Sequence, residues 1–244
     1  METIVSFFAD NFPPIPVIAV QGPAGIAWAV ACLWFAGVLK TRAGLKTGYT
    51  RKIFHFLIFF TAAAIQLTLG LPSTCLFGGM TSLVVLYAII RGEGHVLYEA
   101  IAREKDAPRM THFIVAPYVA TVIGGIASNI LFGDAAIVGY LVTGLADAIA
   151  EPVGTRFGRH PYRVPSFGVP ATRSGEGSAA VGIASFASAI AAVLLRAGWT
   201  GGTWTALKAG AIALAAAVTE AVSPHGWDNL PMQLIPSGLA YVLF

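Results

Sequence analysis

The chain has 244 residues, of which 56% are hydrophobic and only 11% charged, with a net charge of +3 and a mean hydropathy of +0.73. Soluble domains carry about 25% charged residues, so no soluble domain is expected, and so small a net charge gives no electrostatic case for nucleic acid. Continuous apolar blocks, rather than alternation over roughly 10 residues, argue against a β-barrel and leave a helical membrane protein, because only helices and closed barrels satisfy their backbones in lipid.

In chain order, the opening METIVSFFADNFPP lacks the basic n-region of a secretory signal. At roughly 20 apolar residues per span, spans are predicted at Pro16–Leu39, Ile53–Gly70, Thr74–Ile90, Thr111–Phe132, Ala135–Val153, Gly177–Leu195 and Thr203–Val222. A last run, Leu230–Phe244, has 15 residues and reaches only ~22 Å, as a short span or a re-entrant piece. The predicted fold class is all-α: a polytopic, multi-pass bundle of seven or eight spans, forming a single integral membrane domain over residues 1–244. Cys32 and Cys75 fall inside apolar runs, where they read as packing residues and not as a metal site or a disulfide framework.

The basic residues sort into alternate loops. Lys40, Arg42, Lys46, Arg51 and Lys52 lie between the first two runs, Arg91, Arg103, Lys105 and Arg109 between the third and fourth, and Arg156, Arg159, Arg163 and Arg173 between the fifth and sixth. Thirteen of the fifteen Lys and Arg thus mark one side, which the positive-inside rule makes cytoplasmic, with the N-terminus outside. The opposite loops hold little beyond Asp134 and Arg196. The polar residues of the chain converge on the cytoplasmic face.

Four stretches carry chemistry. In GLADAIAEPVGTRFGRH, Asp147 and Glu151 stand one helical turn apart on the stripe begun by Thr143, so their charges repel and burial adds several kcal/mol. A divalent cation held by carboxylates and substrate phosphates offsets this. So does pairing with Arg156 or Arg159, which would merely anchor the helix end. In RSGEGSAA, Ser174 and Ser178 are candidate caps before a helix start with Arg173 beside it and Gly175 and Gly177 within it. That is an anion site or an ordinary capped start, with Glu176 complementing the dipole. The preceding GRHPYRVPSFGVPAT covers a nucleotide or is a solvated connector.

In TRKIFHF, Arg51 and Lys52 open a span where positive charge opposes the helix dipole, so they face phosphates of a substrate or of membrane lipid headgroups. His55 lies one turn inside. In TEAVSPHGWDNLP, Glu220 ends an apolar run and Asp228 and Asn229 follow; Asp228 is a site residue or a cap. The RGEGH and REKDAPRMTH loop reads as a solvated face. Phosphate loops of the GxxxxGK[ST] type, kinase HRD and DFG sets, and CxxC or HExxH metal motifs are absent. Charges at one face, with no internal repeat, argue against a transporter.

Taken in order, these stretches resemble the membrane-bound CTP-dependent prenol kinases, the family of dolichol kinase and phytol kinase. The family pattern is Arg-Lys-x-x-His, then Gly-Asp-x-x-Ala-(Asp/Glu)-x-x-Gly-x-Arg-Phe-Gly, then Lys-Ser-x-Glu-Gly-Ser, then a late Glu with Asp-Asn. Here these read Arg51-Lys52-Ile53-Phe54-His55, Asp147 to Gly158, Arg173-Ser174-Gly175-Glu176-Gly177-Ser178, and Glu220 with Asp228-Asn229, from about residue 50 to 235. Ala146 stands in place of Gly, Arg173 in place of Lys, and Leu230-Pro231 follow Asn229 at a closer spacing. The middle stretch is also similar to CDP-diacylglycerol synthases, whose acidic C-terminal signature is missing here.

The resemblance implies transfer of the CTP γ-phosphoryl group to an isoprenoid, phytol- or polyprenol-type lipid alcohol at the cytoplasmic membrane face. The second option is a phosphatidate cytidylyltransferase-like enzyme making a CDP-lipid. It implies magnesium at Asp147, Glu151 and Glu220, with Asp147 or Glu151 accepting the alcohol proton and His55 supporting. It implies nucleotide and phosphate contacts from Arg51, Lys52, Arg156, Arg173, Ser174, Glu176, Gly177, Ser178, Asp228 and Asn229. Oligomeric state stays open, a homo-oligomer included.

Overall fold

The computed structural model describes residues 2–195, 202 and 204–244, and the chain divides into two compact units, residues 1–103 and 104–244. Arg196 and the predicted start of the seventh run at Thr203 lie outside the described residues.

The first unit holds α1 (Glu2–Asp10), α2 (Ile15–Thr41), α3 (Thr47–Leu69), α4 (Leu71–Arg91) and the single turn α5 (Val96–Glu99). Small residues recur every three or four positions along the buried face of α2, from Gly22 and Gly25 through Ala29 and Cys32 to Ala36 and Gly37. Such a stripe lets backbones approach. A Cβ on Gly25 would touch Met80 and Phe77 of α4 at 3.4 and 3.5 Å, and one on Gly37 would overlap the Val96 carbonyl of α5. Polar ties cross the seams of α2 with α3 and with α5. Trp28 Nε1 donates to Thr61 Oγ1 at 2.9 Å, and Lys40 Nζ reaches Glu99 at 2.8 Å and the Ala102 carbonyl at 3.0 Å. Gly70, at φ +82°, alone makes the corner between α3 and α4.

The second unit holds α6 (His112–Phe132), a 3-10 turn at Gly133–Ala135, α7 (Ala136–Val142), a π turn at Thr143–Asp147, α8 (Ala148–Phe157), β1 (Pro161–Val164), β2 (Ala171–Ser174), α9 (Gly175–Leu195), α10 (Thr205–Val222) and α11 (Asn229–Leu243). Helices α8 and α10 pack along α9, while α11 packs on α6, α7 and α10.

Six described helical runs are long and apolar enough to cross a membrane, one being the 46-residue stretch His112–Phe157. Left straight, that stretch would measure ~69 Å, over twice the ~30 Å of a bilayer core. Instead it turns at Gly133 (φ +54°), and Asn129 Nδ2 bonds Tyr140 Oη across the bend at 2.6 Å. The stretch is therefore interrupted at Gly133 and is not one straight helix. The 15-residue α11 is shorter than the other runs. This architecture is consistent with an all-α membrane bundle. It adds a two-stranded antiparallel ribbon, β1–β2, that the all-α expectation did not include.

Candidate functional site

The helices of the second unit bring one polar constellation together. The path starts at the π turn. Thr143 to Asp147 take i→i+5 spacing, which fits one extra residue into the turn and recurs at functional sites. Pro152, inside α8, has no N–H for the i−4 carbonyl, further loosening the ladder there. Thr143 is fully buried and Asp147 nearly so. The predicted one-turn relation of Asp147 and Glu151 holds, but their surroundings differ. Glu151 is half-buried, and its Oε1 takes the Lys105 ammonium at 2.6 Å. A basic partner of Glu151 is therefore Lys105, from a loop read as solvated, rather than Arg156 or Arg159. Arg156 is exposed, with its guanidinium 5.5 Å from the Phe157 ring centroid.

Between α8 and α9 the chain runs through the ribbon. Tyr162 and Val164 point inward while Pro161 and Arg163 are exposed, the period-two alternation of a half-buried strand. Tyr162 pairs directly with Arg173 across the ribbon, so the two side chains share its inner face. The connecting turn has Gly168 at φ +84° and is fastened on two sides. Arg109 donates to the Phe167 carbonyl at 3.3 Å, and the His225 amide donates to the Pro165 carbonyl at 2.8 Å.

Arg173 is the hub. Its Nε lies 2.8 Å from Glu220 Oε1 and its Nη2 2.9 Å from Asp228 Oδ2. Nη1 donates to the Ser223 carbonyl at 2.8 Å and to the Glu220 carbonyl. The planar fork of arginine suits this many-sided grip, which a lysine could not reproduce. Ser178 Oγ donates to the second Glu220 oxygen at 3.0 Å and lies 2.7 Å from Tyr162 Oη. Glu220 is 4% exposed, and it is close enough to Asp147 for the two carboxylates to feel each other's charge. Burial pushes the Tyr162 hydroxyl above the usual tyrosine value; the Glu220 charge adds to this, and the Ser178 hydrogen bond and Arg173 oppose it.

The remaining expected site residues are engaged in building. Ser174 Oγ accepts the Gly177 amide at 3.1 Å, capping α9. Gly177 is where α9 meets α8, since a Cβ there would stand 3.0 Å from the Ala150 carbonyl. This glycine serves helix contact, and its N–H is held by Ser174. Glu176 accepts from the His160 amide at 3.3 Å and pairs with His160 Nδ1 at 2.7 Å. Asn229 is buried, donating to Thr121 Oγ1 at 2.7 Å, so it ties α11 to α6. Arg51, Lys52 and His55 belong to the first unit. There α3 starts at Thr47, six residues before the predicted Ile53, so all three sit inside the helix rather than at its mouth. Lys52 is 8% exposed, and the His55 ring lies 4.4 Å from that of Phe59.

Three contributors went unread in the sequence: Tyr162, Lys105, and the buried pair of Asp106 with His225 Nε2 at 3.3 Å. The ring of His225 also lies 4.8 Å from that of Phe113, holding the loop that carries Asp228. The alternation of Tyr162 and Val164 between prolines was a signal for the first. Nothing in sequence spacing marks the other two, whose partners lie 46 and 119 positions away.

Comparison with known proteins bears on what this constellation serves. Over 99 residues the chain is 35% identical to a phytol kinase from Synechocystis sp., a stretch covering 41% of this chain and 40% of that relative. The chain thus matches less than half of that relative's length. No protein-family model matches the chain, and no solved structure matches it. The partial likeness supports a prenol-kinase type of function at the level of class.

Proposed function

We propose that the protein is a multi-pass membrane kinase that moves the γ-phosphoryl group of CTP to an isoprenoid alcohol. In this reading the polar face is cytoplasmic and the N-terminus outside. The observation that carries it is the Arg173–Glu220–Asp228–Ser178 network beside buried Asp147, at the ends of apolar helices, in a chain partly like a phytol kinase. Phosphoryl transfer asks for positioning and charge neutralisation more than for covalent help, and ionisable groups at such depth are functional by default.

Magnesium fits the donor set. It prefers oxygen, and one or two carboxylates complete its shell together with substrate phosphates and water. Asp147, buried and near enough for Glu220 to feel its charge, and Glu151 one turn further along are the carboxylates that would hold it. When bound, the ion would neutralise triphosphate charge. Among the described residues no three His, Cys, Asp or Glu side chains are grouped closely enough to hold a metal ion by themselves. Exposed Arg156 is assigned to the phosphates, and Arg173 to setting the Glu220 and Asp228 carboxylates.

The test is incubation of the purified chain in detergent with γ-labelled CTP, magnesium and a panel of lipid alcohols. Label in an organic-phase phosphate ester with CDP left in solution is the expected result. Release of labelled pyrophosphate, with cytidine entering the lipid, would move the chain to the cytidylyltransferases.

A further inference from the structure

The kinase reading leaves α1 without a task. Its sequence, ETIVSFFAD, sorts cleanly around the helix. At about 100° per residue, Glu2, Thr3, Ser6 and Asp10 share one arc, and Ile4, Val5, Phe7, Phe8 and Ala9 fill the rest of the circumference. The apolar arc is uncovered: Ile4, Val5 and Phe8 are exposed, and among the described residues no other element packs along α1. Nine residues make a helix of ~14 Å. That is too short to cross a bilayer and, alone in water, too short to persist as a helix. Its apolar arc needs a partner from outside the chain.

The next helix fixes where that partner lies. Helix α1 stops at Asp10, where the Asn11 side chain donates to the Phe7 carbonyl at 2.8 Å. Pro13 and Pro14 then break the ladder before α2 begins at Ile15. The four residues between the helices reach at most ~14 Å, so α1 is kept beside the end of a 27-residue apolar run long enough to span a membrane. We infer that α1 lies in the bilayer interface at the entrance of α2, with its apolar arc among lipid chains and its polar arc among neutral headgroups. The choice of neutral headgroups follows from charge. The helix carries Glu2 and Asp10 and none of the Lys or Arg with which interfacial helices hold anionic lipid. The inference is independent of the kinase reading and needs only that α2 spans.

The test places the full chain in phosphatidylcholine nanodiscs, with Cys32→Ala and Cys75→Ala, and adds one spin-labelled position at a time through Val5→Cys, Phe8→Cys, Ser6→Cys or Asp10→Cys. Labels at positions 5 and 8 are expected about 5–10 Å below the headgroups, open to oxygen and shielded from a water-soluble nickel chelate. Labels at positions 6 and 10 should show the opposite. Amide hydrogen exchange of the unsubstituted chain reads the same contact without any cysteine. Residues 6–10 should exchange about fivefold faster once anionic phosphatidylglycerol replaces about half of the lipid, and Glu2→Lys combined with Asp10→Lys should reverse that order. Three results overturn the inference: four labels equally open to nickel, protection of the unsubstituted chain that rises in anionic lipid, or shielding that vanishes when each disc holds a single copy, the sign of a second copy on the apolar arc. Absence of phosphoryl transfer from γ-labelled CTP removes the kinase reading alone and leaves these outcomes unchanged.

Discussion

In residues 1–103 a charged side chain fastens structure: Lys40 reaches from the end of α2 to Glu99 and the Ala102 carbonyl, closing the turn around α5. Residues 104–244 arrange charge differently. There one guanidinium, 11% exposed, serves two carboxylates and two carbonyls at once, with Asp147 near enough to add its charge. A single pair locks a corner wherever it is placed. A cluster with several carboxylates around one arginine is poorly justified by stability, since buried ion pairs often only break even against apolar packing. The contrast teaches where to look for chemistry in a chain that is apolar almost throughout.

Five substitutions, one of them also combined with a second, test the contrast. The largest effect is expected at Asp147→Asn, which should lower phosphoryl transfer by about 10³-fold, or ~4 kcal/mol of barrier, while the thermal midpoint in detergent barely moves. Wild-type turnover in that variant would remove Asp147 from the site. Next, Arg173→Met strands Glu220 without its cation and should cost about 3–5 kcal/mol of stability. Adding Glu220→Gln should restore much of it, a recovery seen by urea or thermal unfolding of the double variant.

Smaller effects separate the packing of the two units. Gly139→Ala places a methyl onto the Gln233 carbonyl and Ser237 of α11, and Gly37→Ala places one onto the Val96 carbonyl. Each should destabilise by about 1–3 kcal/mol through overpacking, but only Gly139→Ala should also lower turnover per folded molecule, because α7 leads directly into the π turn. The smallest change belongs to Lys105→Met. Its ammonium is 59% exposed, so the bond to Glu151 should be worth less than about 1 kcal/mol. A loss above about 2 kcal/mol would show that Lys105 does more than tether Glu151.

Much of the fold was open to reading because its cause is local. Apolar runs of span length between basic loops place α2, α4, α6, α9 and α10 within a few residues of their observed limits, and Gly133 marks the bend between the fourth and fifth runs. The start of α3 was missed because Thr47–Lys52 is polar enough to resemble a loop, although Thr47, Thr50 and Lys52 are buried. The ribbon escaped because Pro161, Pro165 and Pro170 demote any strand between them. In the site, Asp147, Arg173, Ser178, Glu220 and Asp228 were all among the residues singled out; the structure joins the last four by hydrogen bonds and sets Asp147 near enough for Glu220 to feel its charge. Their pairing was not readable, since a sequence carries no record of which carboxylate faces which arginine across 47 or 55 positions.

The π turn at Thr143–Asp147 has one more consequence. It stores a surplus residue between two regular helices, so it behaves as a vernier between them. Removal of Leu145 would let the ladder close as ordinary α-helix with α7 and α8 kept in phase, so that only the residues of the turn itself, Asp147 among them, change their place on the helix face while composition and hydropathy stay almost unchanged. A one-residue deletion there would thus be invisible to any span count and would decide whether the carboxylate still faces Glu220.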